Sequence, residues 1–564
     1  MGLPAIDVDR GEAVAIAVAN RCVGLAWPGG STSIVTDDLP MILAGISTGG
    51  PRWVWWSRET AARFVQAGVR PSSCWDLAAV HRLLAGRSRD DPAAVWAATH
   101  DLPEPAVIAT EPTLLDLDDT GPGPLDATGQ LSADWQRGGW SKTPETARHW
   151  AELALSSYEI QRRQITALDD PRMQPREPPL RLLAAYAESA AALLAVELEH
   201  DGLPLDVGVM TDLLAAVIGV RPVDESDAAA QRHARDEAVL ALFPGSRVDL
   251  RNPAQVREML ARIGLDLPDT RSWRLEPHAA SLPPVAALLA WRKAERLATT
   301  YGWSWLDNHV GADRRLRGGW SPAEGAGRMT AGAGLHNMPA ELRPGVRADE
   351  GWLLVRADLG QVEPRVLAVV SGDAALAAAA RADDMYAPVA AALGRDRPTA
   401  KVAVLAAMYG QTSGAAGAAL RDMDRTYPRA MAYLRDAEQA GRDGVDIRTY
   451  GGRLLRLARA ETDERFPASA WGRFARNAMV QGAAAELFKA WAGTVRAGLA
   501  ESGYGRIVLC LHDELLVHVP QEHAAEVVAL VRQAIDATAH WWAADSGVRF
   551  VVDVGVADSW AAAH

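Results

Sequence analysis

The segment IVLCLHDELLVHVP, residues 507–520, constrains the fold most. Two apolar runs, each long enough for a buried strand, flank His512, Asp513 and Glu514. Apolar runs around a short polar tip read as a hairpin. Its strands must be covered, so a sheet with packed neighbours is required. A second apolar run, Leu353–Val355, is followed closely by Asp358. If these strands neighbour each other in one sheet, Asp358 and Asp513 meet at its end. Two carboxylates brought together repel unless divalent cations lie between them. Mg²⁺ suits such a pair, because it takes hard oxygen ligands and leaves positions for waters and phosphates. Taken singly, neither segment decides anything. An acid after a strand often caps a turn or helix, and hairpin tips are commonly polar.

A third segment, GRDRPTAKVAVLAAMYGQ, adds positive charge. Pro398 fits the first turn of a helix. Arg397, Lys401 and Leu405 then follow at four-residue spacing and share one face. In isolation this is a solvated basic face; beside a metal-binding pair it suits a triphosphate and a base. Lysine occurs only at 142, 293, 401 and 489 among 58 basic residues. A lysine retained in so arginine-rich a chain points to a task arginine cannot do, such as giving up a proton.

The whole chain sets the frame for these segments. Its 564 residues suggest about three to five folding units, and 49% hydrophobic content excludes wholesale disorder. No apolar run is long enough for a spanning helix. The first residues lack the basic start and apolar stretch of a secretory signal, so a cytoplasmic location is expected. Three scattered cysteines, Cys22, Cys74 and Cys510, read as small buried hydrophobes. The net charge of −13 argues weakly against a general nucleic-acid binder, yet residues 251–347 turn basic by five charges. Residues 1–100 alternate strand-like and helical stretches, as in a small α/β unit. Residues 101–145 are rich in Pro, Gly and Asp and read as a long loop or linker.

In this order the three segments resemble motifs A, B and C of the family A DNA polymerases. Asp358, Gln361, Glu363 and Arg365 match the first motif. Arg397, Lys401, Tyr409 and Gly410 match the second, with Leu405 where an aromatic is usual. His512, Asp513 and Glu514 match the third. Further likenesses surround them: Arg328 and Asn337 in GRMTAGAGLHNMP, Arg473, Asn477 and Gln481 in RFARNAMVQG, and Arg292 and Arg296 in WRKAERLATTY. TYGGR at 449–453 and the closing VGVADSWAAAH add two more.

The resemblance implies an α/β plus α fold. A right-hand polymerase of palm, fingers and thumb would follow an RNase H-like, exonuclease-type α/β domain. The front domain would span 1–189, the thumb 190–300, the palm 301–375 and 477–564, and the fingers 376–476. The implied activity is DNA-templated DNA synthesis on a primer, for repair or gap filling, by a monomer that needs primer-template DNA and dNTPs and no membrane. Two Mg²⁺ ions, replaceable by Mn²⁺, would be held by Asp358, Asp513 and the Leu359 carbonyl. Arg397, Lys401, Leu405, Tyr409, Gln361, Glu363 and His512 would bind the dNTP, with Lys401 also protonating the leaving pyrophosphate. Glu363, bonded to Tyr409, would exclude a ribose 2′-hydroxyl. Arg292, Arg296, Arg328, Asn337, Arg365, Gly410, Arg473, Asn477, Gln481 and Glu514 would contact DNA.

In the front domain, Asp76 stands at one acid position of the exonuclease pattern. The opening Asp-x-Glu is missing from AVAIAVANRCVGLAWP, and Ser189 replaces a later Asp. One acid cannot hold two cations, so an exonuclease-like fold without proofreading is expected. Two other readings are a catalytically inactive DNA-binding paralogue and a relative of single-subunit RNA polymerases. The intact acids and Lys401 oppose the first, and Glu363 opposes the second.

Overall fold

The computed structural model describes residues 8–47, 49–86, 89–107, 123–410, 415–458 and 467–563. The start of the chain, on which the leader expectation rests, lies outside them, as does the final His564.

Two sheets organise the molecule. In the first, strands Gly30–Val35, Cys22–Trp27 and Ala13–Val18 form an antiparallel meander, and Arg52–Trp55 and Cys74–Asp76 extend it in parallel. All six side chains of Ala13–Val18 are buried, because helices cover both faces of a strand with no polar side chain to expose. The helix Pro144–Thr166 lies so close to the second strand that a Cβ on Gly24 would sit 2.1 Å from the Ala147 carbonyl oxygen. This is the α/β unit expected at the front.

The loop expected at 101–145 is ordered over much of its described length. Residues 108–122 lie outside the described residues. The rest includes a short helix, Ala133–Gln136, with Trp135 and Leu131 buried. Trp140 stacks on Trp150 at 5.7 Å. The Pro, Gly and Asp content favours a loop, but the burial of Trp135 and the packing of half-buried Trp140 outweigh poor local propensity.

The second sheet is wholly antiparallel, in the order Arg506–Leu511, Glu514–Pro520, Trp352–Gly360, Val551–Ala557. The register sets Asp358 opposite Glu514 on one side and Asp553 on the other. Five helices between Val207 and Thr300 precede this sheet in the chain, and a mostly helical stretch from Ala374 to Asp443 is inserted between its strands.

Two long helices run through the boundaries read from the sequence. Leu180–Asp201 passes through 189/190, and the 35-residue helix Ala468–Ser502 passes through 476/477. They pack on each other and share buried ion pairs. The Lys489 ammonium donates to both Glu188 oxygens at 3.0 and 2.9 Å, and Arg496 donates to both Glu197 oxygens at 2.8 and 2.7 Å. All three cysteines are free and buried. Among the described residues no helix is long and apolar enough to cross a membrane.

Candidate active site

The strand Trp352–Gly360 ends at a sharp turn into the helix Val362–Ser371. Gln361 makes that turn in the left-handed region, at φ 57°, a strained conformation for a residue with a side chain. The turn sets Asp358 on the strand end and Glu363 in the first helical turn. The hairpin tip next door is a two-residue turn, His512–Asp513, closed by the Leu511–Glu514 pair, with His512 at φ 49°. The Leu359 amide donates to the Asp513 carbonyl at 2.9 Å, so the two acids stand on adjacent chains at one sheet end.

Burial and the charge of Asp358 both bear on Asp513. Its carboxyl is pushed up to about 7, first by burial and then by the charge of Asp358, with Glu514 and Glu363 adding smaller shares. Arg356, two residues before Asp358 on the same face, supplies partial relief. It donates to Asp358 at 3.0 Å and to Glu514 at 3.1 Å. Among the described residues no three His, Cys, Asp or Glu side chains converge as a closed metal cage. Two carboxylates are the donor set that Mg²⁺ uses when phosphates and waters supply the rest. The residues therefore fit such a cation.

Beside the acids lies a polar knot. The Tyr409 hydroxyl donates to Glu363 at 2.9 Å, Arg328 is ion-paired with the other Glu363 oxygen, and Gln481 hydrogen-bonds Tyr409. Partial burial holds His512 below its ordinary value, and Arg328 and His336 lower it further.

The basic helix Arg397–Tyr409 forms as read. Asp396 caps it by accepting from the Thr399 amide, and Gly410 ends it at φ 68°. Lys401 is exposed and makes no hydrogen bond or ion pair among the described residues. Leu405 is half-buried. Arg397 is engaged by Asp384, Nε at 2.6 Å and Nη2 at 3.2 Å. Asp384 and Tyr386, which lies under the Arg397 guanidinium at 5.7 Å, carry no motif and were missed in the sequence. An acid three residues after Arg381 in RADDMY offered no signal against its neighbours.

The DNA-facing set divides. Arg296, Asn337 and Arg473 are exposed, and Asn477 Oδ1 is buried without a hydrogen-bond partner among the described residues. Arg365 is a correction. Its guanidinium is fully buried and donates to the carbonyls of Gly360, Ala380, Ala382, Asp383 and Arg549 at 2.5–3.1 Å. It ties the 380–383 loop to the sheet and cannot reach DNA. Glu514 is a second correction: it is buried, and its Oε1 accepts from Arg356 and from the Trp560 indole at 2.5 Å. Arg292 is half-buried and bonded to Thr270, so of the pair Arg292 and Arg296 only the second presents its charge.

In the front unit Asp76 is buried and structural. It caps the helix Leu77–Ala85 by accepting from the Ala79 amide at 2.8 Å, and its other oxygen accepts from the Trp55 indole at 2.9 Å. Its amide donates to Ser189 Oγ at 3.0 Å. The positions of Asp76 and Ser189 thus meet, with one carboxylate between them.

The model of DNA polymerase family A matches residues 225–562. The chain belongs to DNA polymerase family A. It is 27% identical over 425 residues to the thermostable DNA polymerase I of Thermus aquaticus, covering 68% of this chain and 49% of the relative. DNA polymerase I of Chloroflexus aurantiacus is 30% identical over 289 residues, 45% of this chain and 30% of its own. That of Pseudomonas aeruginosa is 28% identical over 398 residues, 63% and 42%. The chain spans about half the length, or less, of the curated relatives it matches. A structure of the POL domain of Pol1 from M. smegmatis, in complex with DNA primer-template and dNTP, superposes with a TM-score of 0.66 at 22% identity. That likeness covers 99% of this chain and 96% of the other and concerns the fold.

Proposed function

We propose that this family A chain extends the 3′ end of a primer on a DNA template, using deoxynucleoside triphosphates, in repair or gap filling. The observation that carries the reading is the meeting of Asp358 and Asp513 at one sheet end, directly beside the Glu363–Tyr409–Arg328 knot. The palm would be the second sheet, the fingers the helices from Ala374 to Asp443 and the thumb those from Val207 to Thr300.

Asp358 and Asp513, with the Leu359 carbonyl, would hold two Mg²⁺ ions, or Mn²⁺ in their place. Bound, such ions would make the primer hydroxyl more acidic and neutralise charge on the phosphates. The near-neutral titration of Asp513 supports the assignment, since a cation is what would keep both acids ionised. Arg397 and Lys401 would grip the triphosphate, and Lys401, unlike arginine, could pass a proton to the departing pyrophosphate. Glu363, fixed from two sides by Tyr409 and Arg328, would fill the space of a 2′-hydroxyl. Arg328 has N–H groups beyond its bond to Glu363, and with Gln481 it would touch the minor-groove acceptors shared by all base pairs. Asp76, committed to a helix cap and an indole, would support no 3′–5′ exonuclease. The protein would act as a monomer in the cytoplasm, at the nucleoid.

Extension of a labelled primer with Mg²⁺ tests the reading. The wild type should extend with dNTPs in preference to NTPs, and Asp513→Ala should lose at least about a thousandfold in rate with its fold intact. Binding without extension by the wild type would favour an inactive paralogue. Preference for NTPs would favour the RNA polymerase relative. Loss of mismatched primer ends that persists in Asp513→Ala and vanishes in Asp76→Ala would overturn the absence of proofreading.

A further inference from the structure

Arg365 builds a platform beside the site. By holding the carbonyls of Ala380, Ala382 and Asp383, it fixes the loop that leads to Asp384. Asp384 is then shared among three partners. One oxygen accepts from Gln361 Nε2 at 2.8 Å and from the Tyr386 amide at 3.2 Å, and both oxygens face the Arg397 guanidinium. Gln361 completes the link by accepting from the Met385 amide at 2.9 Å. The same carboxylate therefore touches the strained turn between Asp358 and Glu363 and the first residue of the basic helix.

Arg397 cannot give its Nε–Nη2 edge to Asp384 and to a phosphate at once. The pair is also weak enough to exchange, since the two side chains are 53% and 37% exposed and water screens such pairs to a factor of about five or less. Lys401, one turn further along the helix, makes no such bond among the described residues.

Resting on the polymerase reading, we propose that Asp384 is a positioning residue that parks Arg397 in the nucleotide-free enzyme and surrenders it to the incoming triphosphate. Lys401 meets the phosphates first; their greater charge then draws Arg397 off the carboxylate. Asp384 stays with Gln361 and Tyr386 and keeps the turn beneath the nucleotide in place.

Asp384→Asn tests this, because its side-chain oxygen still accepts from Gln361 and the Tyr386 amide while the charge holding Arg397 is gone. Steady-state extension should show the dATP KM falling about two- to fivefold without a rise in kcat, and the fall should shrink at high salt. In an Arg397→Ala background the same change should leave KM within about 1.5-fold, since the partner is absent. Calorimetric binding of dATP to the intact chain should follow the same pattern, and it reads the latch even if the wild type fails to extend a primer, a failure that would instead overturn the polymerase reading. Asp384→Ser serves if the Asn variant folds poorly. A KM and Kd that rise, or a fall that persists beside Arg397→Ala, would overturn the proposal.

Discussion

Replacing Asp76 by Asn separates the cost of a buried charge from the value of the bonds it makes. Burial raises the Asp76 carboxyl from 3.8 to about 6, against the opposing pull of Arg82, the Ala79 amide and the Trp55 indole. A carboxyl that titrates higher in the folded chain than in the unfolded one binds an extra proton when folded. Its ionised form is therefore a penalty, complete above about pH 6 and gone below about pH 3.8. That gap is worth about 3 kcal/mol at pH 7.5 and about half as much at pH 5. Asn removes the penalty and keeps one acceptor, but it cannot accept from both the Ala79 amide and the Trp55 indole, so about 1–3 kcal/mol is lost at every pH. The constant loss cancels when the two pH values are compared. The stability of Asp76→Asn relative to wild type should rise by about 1 kcal/mol between pH 5 and pH 7.5. Thermal or urea unfolding of the intact protein, followed by tryptophan fluorescence from the Trp-rich front unit, measures it. A relative stability that is flat with pH, or falls, would show that Asp76 is not charged at a cost.

Three further substitutions address the other site. Glu363→Ala should lower discrimination of dNTP against NTP at least about tenfold in kcat/KM, by opening the space of the 2′-hydroxyl; an unchanged ratio removes the sugar gate. Leu405→Phe should tighten the incoming nucleotide, with KM reduced about two- to tenfold by the added aromatic stack; an equal or higher KM counts against stacking there. Arg365→Met should destabilise the protein by about 3 kcal/mol or more, because buried carbonyls on the strand turn and the 380–383 loop lose their donor. Retention of wild-type thermal stability would mean that the loop does not depend on that guanidinium.

The hairpin that carries Asp513 and the strand that leads to Asp358 were legible because their runs are mostly apolar and their ends are not. Hydrophobic pattern fixed the strands and their polar ends, and Asp358 and Asp513 followed. The helix bearing Arg397 and Lys401 was legible through Pro398 and Gly410, which mark its ends. What stayed hidden was burial of charge. Arg365 and Glu514 sit in polar motifs and look available, yet partners distant in sequence, such as the Arg549 carbonyl and the Trp560 indole, take them out of solvent. Asp384 belongs to no pattern, and only the fold brings it to Arg397. The scarcity of lysine singled out Lys401, and the same reasoning applied to Lys489 would have found a buried ammonium that desolvation draws down to about 8. Helices cross the expected borders 189/190 and 476/477 because those borders follow sequence motifs, while a helix ends only where its hydrogen bonds and caps end.

The interlocked helices Leu180–Asp201 and Ala468–Ser502 set a limit on trimming. Excising the front unit at residue 189 would remove Glu188, to which the Lys489 ammonium donates both of its bonds. It would also take away Pro71, whose carbonyl accepts from Arg496 at 2.9 Å. The front α/β unit would thus act as counter-charge and buttress for the helix that carries Asn477 and Gln481.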